Sequence, residues 1–125
     1  MKSSVLECWF LLLYFEWLVR FESFAEVYQA VRQTSVSKAS STQTVSISDL
    51  CRAMDIATVL YFNRVRCLQR SAATTVLLRR HGWKAEMVIG AQVLPFKSHS
   101  WCEVDDVVVN DKPYVLDIYT VLERC

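Results

Sequence analysis

Arg79-Arg80-His81-Gly82, followed by Ala85-Glu86-Met87-Val88-Ile89-Gly90-Ala91, is the stretch whose reading decides the fold. The first block closes a helix. Its cations sit in the last turn, where they complement the helix dipole, and Gly82 supplies a left-handed terminator. The second block has changed period and reads as a strand. Helices lie before this point and strands after it. The chain is therefore expected to be α+β, with N-terminal helices followed by a small antiparallel sheet.

Working back from that point, Cys67 opens the helix that Gly82 ends. The chain turns near Asn63–Arg66. An earlier helix is capped by Ser46 or Ser48, carries Asp49 in its first turn, and buries Leu50, Met54, Ala57, Leu60 and Tyr61. Gln33 to Ser46 is rich in Ser and Thr, has no aromatic residue, and reads as an exposed loop. Val5 to Val31 reads as helix, broken near Glu22-Ser23. Its apolar residues Leu6, Phe10, Leu13, Trp17, Phe21 and Phe24 recur at helical spacing. This gives three parts: an aromatic helical segment over 1–32, a loop over 33–46, and a core over 47–125.

Working forward, Pro95 ends the first strand. Ser98-His99-Ser100-Trp101-Cys102-Glu103-Val104 alternates as a half-buried strand. Asp105-Asp106 forms a two-residue hairpin turn without the glycine such turns prefer. Val107 to Asn110 returns, Pro113 bars a simple continuation, and Val115 to Tyr119 is a further short strand.

Composition narrows the function. The chain has 125 residues, 53% of them hydrophobic, and only two glycines. That fits one globular domain with a modest core. A net charge of +1 gives no electrostatic footprint for nucleic acid. Five cysteines, Cys8, Cys51, Cys67, Cys102 and Cys125, are an odd number without a C-x-x-C pair. The acid at Glu7, with no small-residue cleavage site after the apolar stretch, argues against a secretory signal. The thiols are expected to be reduced in a cytoplasm. Acidic and basic residues interrupt the apolar N-terminus well short of a membrane span. Its surplus aromatics can face the core, a partner chain, or weakly a membrane surface.

Cys67, His99 and Asp111 carry the candidate chemistry. A thiol attacks as thiolate, and a helix N-terminus with a neighbouring imidazole favours that form; Arg64, Arg66 and Arg70 add positive potential. His99 would take the thiol proton and return one to the leaving amine. Asp111, expected on the partner strand of the same hairpin, would reach the second ring nitrogen and fix the imidazole tautomer. Free N–H groups at the start of the helix would hold an oxyanion, with Asn63 or Gln69 as candidate side-chain donors. No cofactor or metal is called for. A zinc site from Cys67, His99, Cys102 and Cys51 lacks ligand-pair spacing, and Cys102 should face the core. Asp117 rivals Asp111 as orienter, and His81 reads as a helix C-terminal residue.

Four blocks then appear in a telling order: Cys67-Leu68-Gln69-Arg70-Ser71, Leu77-Leu78-Arg79-Arg80-His81-Gly82, Ser98-His99-Ser100-Trp101-Cys102-Glu103-Val104 and Val107-Val108-Val109-Asn110-Asp111. Together they resemble the transglutaminase-like leader peptidases of lasso-peptide biosynthesis, over roughly Cys51 to Asp111. The resemblance implies a papain-related α+β core and a cysteine peptidase. Such an enzyme cuts the leader from a ribosomally made precursor peptide. It implies Cys67 as nucleophile, His99 as base and Asp111 as orienter. The implied partners are a small leader-recognition protein and an ATP-dependent, asparagine-synthetase-like enzyme that closes the macrolactam. The chain departs from the family at Ser100, where Ala is usual, and at the glycine-free Asp105-Asp106 turn. It also shows no winged-helix module, as in the protease half of a split protein. Two other readings are a glutamine-directed acyltransferase or deamidase of the same fold, and a silent adaptor that docks the precursor.

Overall fold

The break at Glu22-Ser23 divides the N-terminal helix as its sequence suggests, into α1 (Lys2–Phe21) and α2 (Phe24–Gln33). In the computed structural model, residues 2–36, 46–93, 96–111 and 114–125 are described. Most of the Ser/Thr-rich segment, together with Pro95 and Pro113, lies outside those residues. Ser46 caps α3 (Ile47–Leu60), its hydroxyl accepting from the Asp49 N–H at 3.1 Å, as a helix N-terminus requires. The next helix, α4 (Cys67–Arg80), runs to a His81 cap, and Gly82 takes φ 88° as its left-handed stop.

After Gly82 come β1 (Ala85–Gln92), β2 (Lys97–Val104), β3 (Val107–Val108), the helical turn α5 (Val115–Ile118) and β4 (Thr120–Arg124). The sheet order is β3-β2-β1-β4, antiparallel throughout. The chain is thus α+β as its sequence predicts. The expected strand over Val115–Tyr119 is instead a helical turn, and the strand begins at Thr120. This turn lets Val115 bury against Val88 and Trp101 on the outer face of the sheet.

One hydrophobic cluster joins Cys8, Leu12 and Phe15 of α1, Leu50 and Met54 of α3, Leu77 and Leu78 of α4, and Met87, Cys102 and Val104 of the sheet. The α3 face holds as expected except at Leu60, which is 65% exposed; Ala53 takes the buried place. On α1 the apolar stripe Leu6, Phe10, Leu13, Trp17 and Phe21 faces outwards, with Trp17 51% and Phe21 68% exposed. The opposite side of the helix, also apolar, makes the core.

The β2 strand is not half-buried. Ser100 to Val104 are buried on both faces. Cys102 and Val104 face the helices, while Trp101 and Glu103 lie on the outer face. Glu103, 1% exposed, accepts from Trp101 Nε1 at 2.7 Å and from Arg124 Nη1 at 2.6 Å. Those two donors answer its charge. Asp105 and Asp106 form the two-residue turn with φ 52° and 65°. Positive φ at both positions is what a hairpin of this length demands, and Asp tolerates it better than most residues.

Candidate active site

Cys67 is the first residue of α4, and Arg66 precedes it in extended backbone. An arginine side chain has no acceptor with which to cap a helix. The first N–H groups of α4 are therefore not taken up by a capping side chain. The helix start is fixed by Gln69 instead. Its Oε1 accepts from the Arg66 N–H at 3.3 Å, and its Nε2 donates to the Leu12 carbonyl of α1 at 2.8 Å. Gln69 is 2% exposed, so it anchors the helix rather than offering a donor to substrate. Asn63 likewise donates to Glu16, at 3.3 and 3.4 Å. Neither side chain fits the oxyanion role considered for it.

Of the five cysteines, Cys67 alone is exposed. Burial pushes Cys8 and Cys102 up to about 12, and raises Cys51 and Cys125, because a thiolate is disfavoured away from water. These four are poor nucleophiles where they sit.

His99 pairs with Gly90 across the β1–β2 ladder. A Cβ on Gly90 would come within 2.8 Å of the Trp101 ring and 3.0 Å of Tyr119 Cβ. Glycine is what lets those rings close in. The His99 ring lies 5.2 Å from the Tyr119 ring and 6.0 Å from that of Trp101, at 31° and 34°. The imidazole is thereby held on an aromatic shelf that sequence reading missed. No sequence signal marks it, because the pairing that sets Gly90 opposite His99 is fixed by the strand register.

Asp111 Oδ2 accepts from His99 Nε2 at 2.5 Å. It does so from a bend, not from the returning strand, because β3 stops at Val108. The reason is Asn110. Its Oδ1 accepts the Cys102 N–H at 2.7 Å, in place of a backbone carbonyl, and the chain peels away after Val109 N–H bonds Cys102 O at 3.0 Å. The edge of β2 beside His99 carries no strand among the described residues. Cys67, His99 and Asp111 all line one cavity there, of about 240 Å³, with Val65, Arg66, Arg70, Ser71, Ser100 and Asn110. Arg70 is paired with Asp55.

The other sequence candidates lie elsewhere. Asp117 is exposed on α5 and does not line this cavity. His81 pairs with Glu7 at 3.1 Å at the far end of α4. Cys102 is buried against the helices, and among the described residues no three His, Cys, Asp or Glu side chains gather as metal ligands. No helix of the described residues is long and apolar enough to cross a membrane.

Residues 11–124 match the transglutaminase-like superfamily. The chain is similar to the microcin J25-processing protein McjB of Escherichia coli, with 41% identity over 56 residues, 45% of this chain and 27% of that protein. The match thus spans about a quarter of the relative. No solved structure matches.

Proposed function

The chain belongs to the transglutaminase-like superfamily, and from that premise we propose that it is a cysteine peptidase that frees a lasso-type core peptide from the leader of its ribosomally made precursor. One observation carries the reading: an exposed helix-start thiol and a carboxylate-bound imidazole share a cavity at an open sheet edge. The processing role named for the relative McjB supports a precursor peptide as substrate.

The chemistry follows from the groups present. With Nε2 engaged by Asp111, Nδ1 of His99 is the nitrogen left to take the Cys67 proton. The thiolate attacks the scissile carbonyl, and the uncapped N–H groups of the first turn of α4 hold the oxyanion. The imidazolium gives its proton to the amine nitrogen as the C–N bond breaks, leaving a thioester on Cys67. His99 then deprotonates a water, which attacks the thioester; the carboxylic acid leaves and the thiol is restored. Asp111 holds the tautomer and the ring plane throughout.

The outward stripe of α1 and α2, with Phe10, Trp17, Phe21 and Phe24 exposed, is the surface we assign to a leader-recognition partner. We assign macrolactam closure to a separate ATP-dependent, asparagine-synthetase-like enzyme, and the chain to a cytoplasm where thiols stay reduced.

Incubation with a candidate precursor, read by mass spectrometry, tests the reading. The native chain, with the leader-binding partner present, should yield two fragments whose masses sum to the precursor plus one water. Cys67→Ala should leave the precursor whole. Equal cleavage by Cys67→Ala, or a mass change without chain scission, would overturn the peptidase assignment.

A further inference from the structure

Cys67 stands on the rim of two depressions. One is the cavity with His99 and Asp111. The other is a groove of about 840 Å³, bounded by Glu16, Val19 and Arg20 of α1, by the 63–66 connection, and by Gln69 of α4. Val65, Arg66 and Cys67 line both. A peptide laid across the sulfur must therefore leave residues on one side of the reacting carbonyl inside the larger groove.

The groove carries an excess of positive charge. Arg20, Arg64 and Arg66 line it, against the single carboxylate of Glu16. That carboxylate already accepts from Asn63 Nδ2. None of the three arginines is in an ion pair among the described residues. Elsewhere around α4 the arginines are matched. Arg70 meets Asp55, Arg80 meets Glu7 at 3.2 Å, and Arg79 is spent on backbone carbonyls. Unmatched guanidinium groups in a concave site focus a positive potential and offer forked donors that fit a carboxylate.

Resting on the peptidase reading above, we propose that this groove selects substrate by charge: it takes the peptide segment flanking the cut bond and favours one that carries Asp or Glu there. The three arginines are exposed, so each contact is weak and salt-screened, and the preference is the sum of two or three of them.

The test separates binding from cleavage. Cys67→Ala protein is titrated by fluorescence anisotropy with labelled precursor-length peptides. These carry a single Glu, Gln or Lys at each position near the bond, on either side. At low salt the best Glu peptide should bind about tenfold tighter than its Gln counterpart, and the gap should shrink several-fold in about 0.5 M salt. Arg20→Glu with Arg64→Glu should turn the preference towards Lys; Arg20→Gln with Arg64→Gln should cut it to the small share that Arg66 supplies. The native chain is run on the same peptides with the leader-binding partner present. Preference in binding without any cleavage would sink the peptidase reading and leave the acidic-peptide groove standing. Cleavage with no preference for Glu at any position, or no binding of any peptide, would overturn the groove.

Discussion

Replacing Arg79 by Met removes a guanidinium that holds four parts of the chain together. Arg79 is 8% exposed. Its Nε donates to Ala85 O at 2.8 Å, its Nη1 to Val31 O at 2.5 Å and Thr34 O at 3.2 Å, and its Nη2 to the Cys125 backbone oxygen at 2.8 Å. One side chain thus ties the end of α4 to the end of α2, the start of β1 and the end of β4. Met keeps most of the volume, so the loss is polar. Each charge-assisted bond contributes about 1.5–3 kcal/mol net, set against the cost of burying the charge. Water can reach the two partly buried acceptors, Thr34 O and Cys125 O, once the guanidinium is gone. Val31 O keeps the Thr34 N–H at 3.2 Å, so Ala85 O is the acceptor left buried without a donor, at about 1–3 kcal/mol. The expected loss is roughly 2–4 kcal/mol, or about 6–16 °C in Tm for a chain of this size. Urea unfolding followed by circular dichroism measures it. Arg79→Lys, whose ammonium cannot span all four acceptors, should fall between. A Met variant within about 1 kcal/mol of the native chain would refute the reasoning, because the hydrogen bonds would then be offset fully by the cost of desolvating the charge.

Four further outcomes follow from the same geometry. Asp111→Asn should keep the fold and lower kcat by about 100-fold or more, with KM little changed, since the amide presents the wrong partner to His99 Nε2; steady-state cleavage of the precursor checks it. Native protein treated with iodoacetamide near pH 8 should take one label, at Cys67, and five when unfolded; peptide mapping that finds Cys8 or Cys102 labelled in the native state would contradict their burial. Asp105→Asn with Asp106→Gly should stabilise the chain by about 0.5–1 kcal/mol, because Asn-Gly suits two positive φ values better than Asp-Asp does; an unchanged or lower midpoint in urea would count against the turn geometry. Cys8 and Cys102 have thiol pKa values raised by burial to about 12 against 9.0 in the unfolded chain, so the folded state holds their protons longer; stability should be full below about pH 9 and drain away between about pH 9 and 12, as melts over that range would show.

The order of elements was legible because two local signals agreed. Gly82 ends a helix by its freedom at positive φ, and the period changes directly after it. What periodicity could not settle was direction. α1 is apolar nearly all round, so Phe10, Trp17 and Phe21 made as good a buried stripe as Cys8, Leu12 and Phe15 did. Only packing against α3 and α4 chose between them. Arg79 failed for a related reason. A cation in a last helical turn is already explained by the dipole, and nothing local says that carbonyls from distant parts of the chain converge on it. The Val115–Tyr119 strand was lost to the same cause: its apolar residues serve a helical turn that caps the outer face of the sheet.

The candidate site was legible as three residue types at the ends of three elements, but the reason they line one cavity was not. His99 lies on the face of β2 that carries Trp101, whereas α4 packs on the opposite face with Cys102. Two groups on opposite faces of a fully paired strand are screened by the sheet itself. Here β3 pairs with β2 at Glu103 and Val104 and no further, because Asn110 ends the ladder with its side chain. Among the described residues the rim of β2 therefore has no paired strand at His99 and Ser100, and the cavity lined by Cys67 and Asp111 forms at that rim. A short edge strand is usually read as protection against sheet-to-sheet pairing. In this chain it has a second consequence: stopping the hairpin early opens a path by which a helix-borne thiol and an imidazole from the far face share one site.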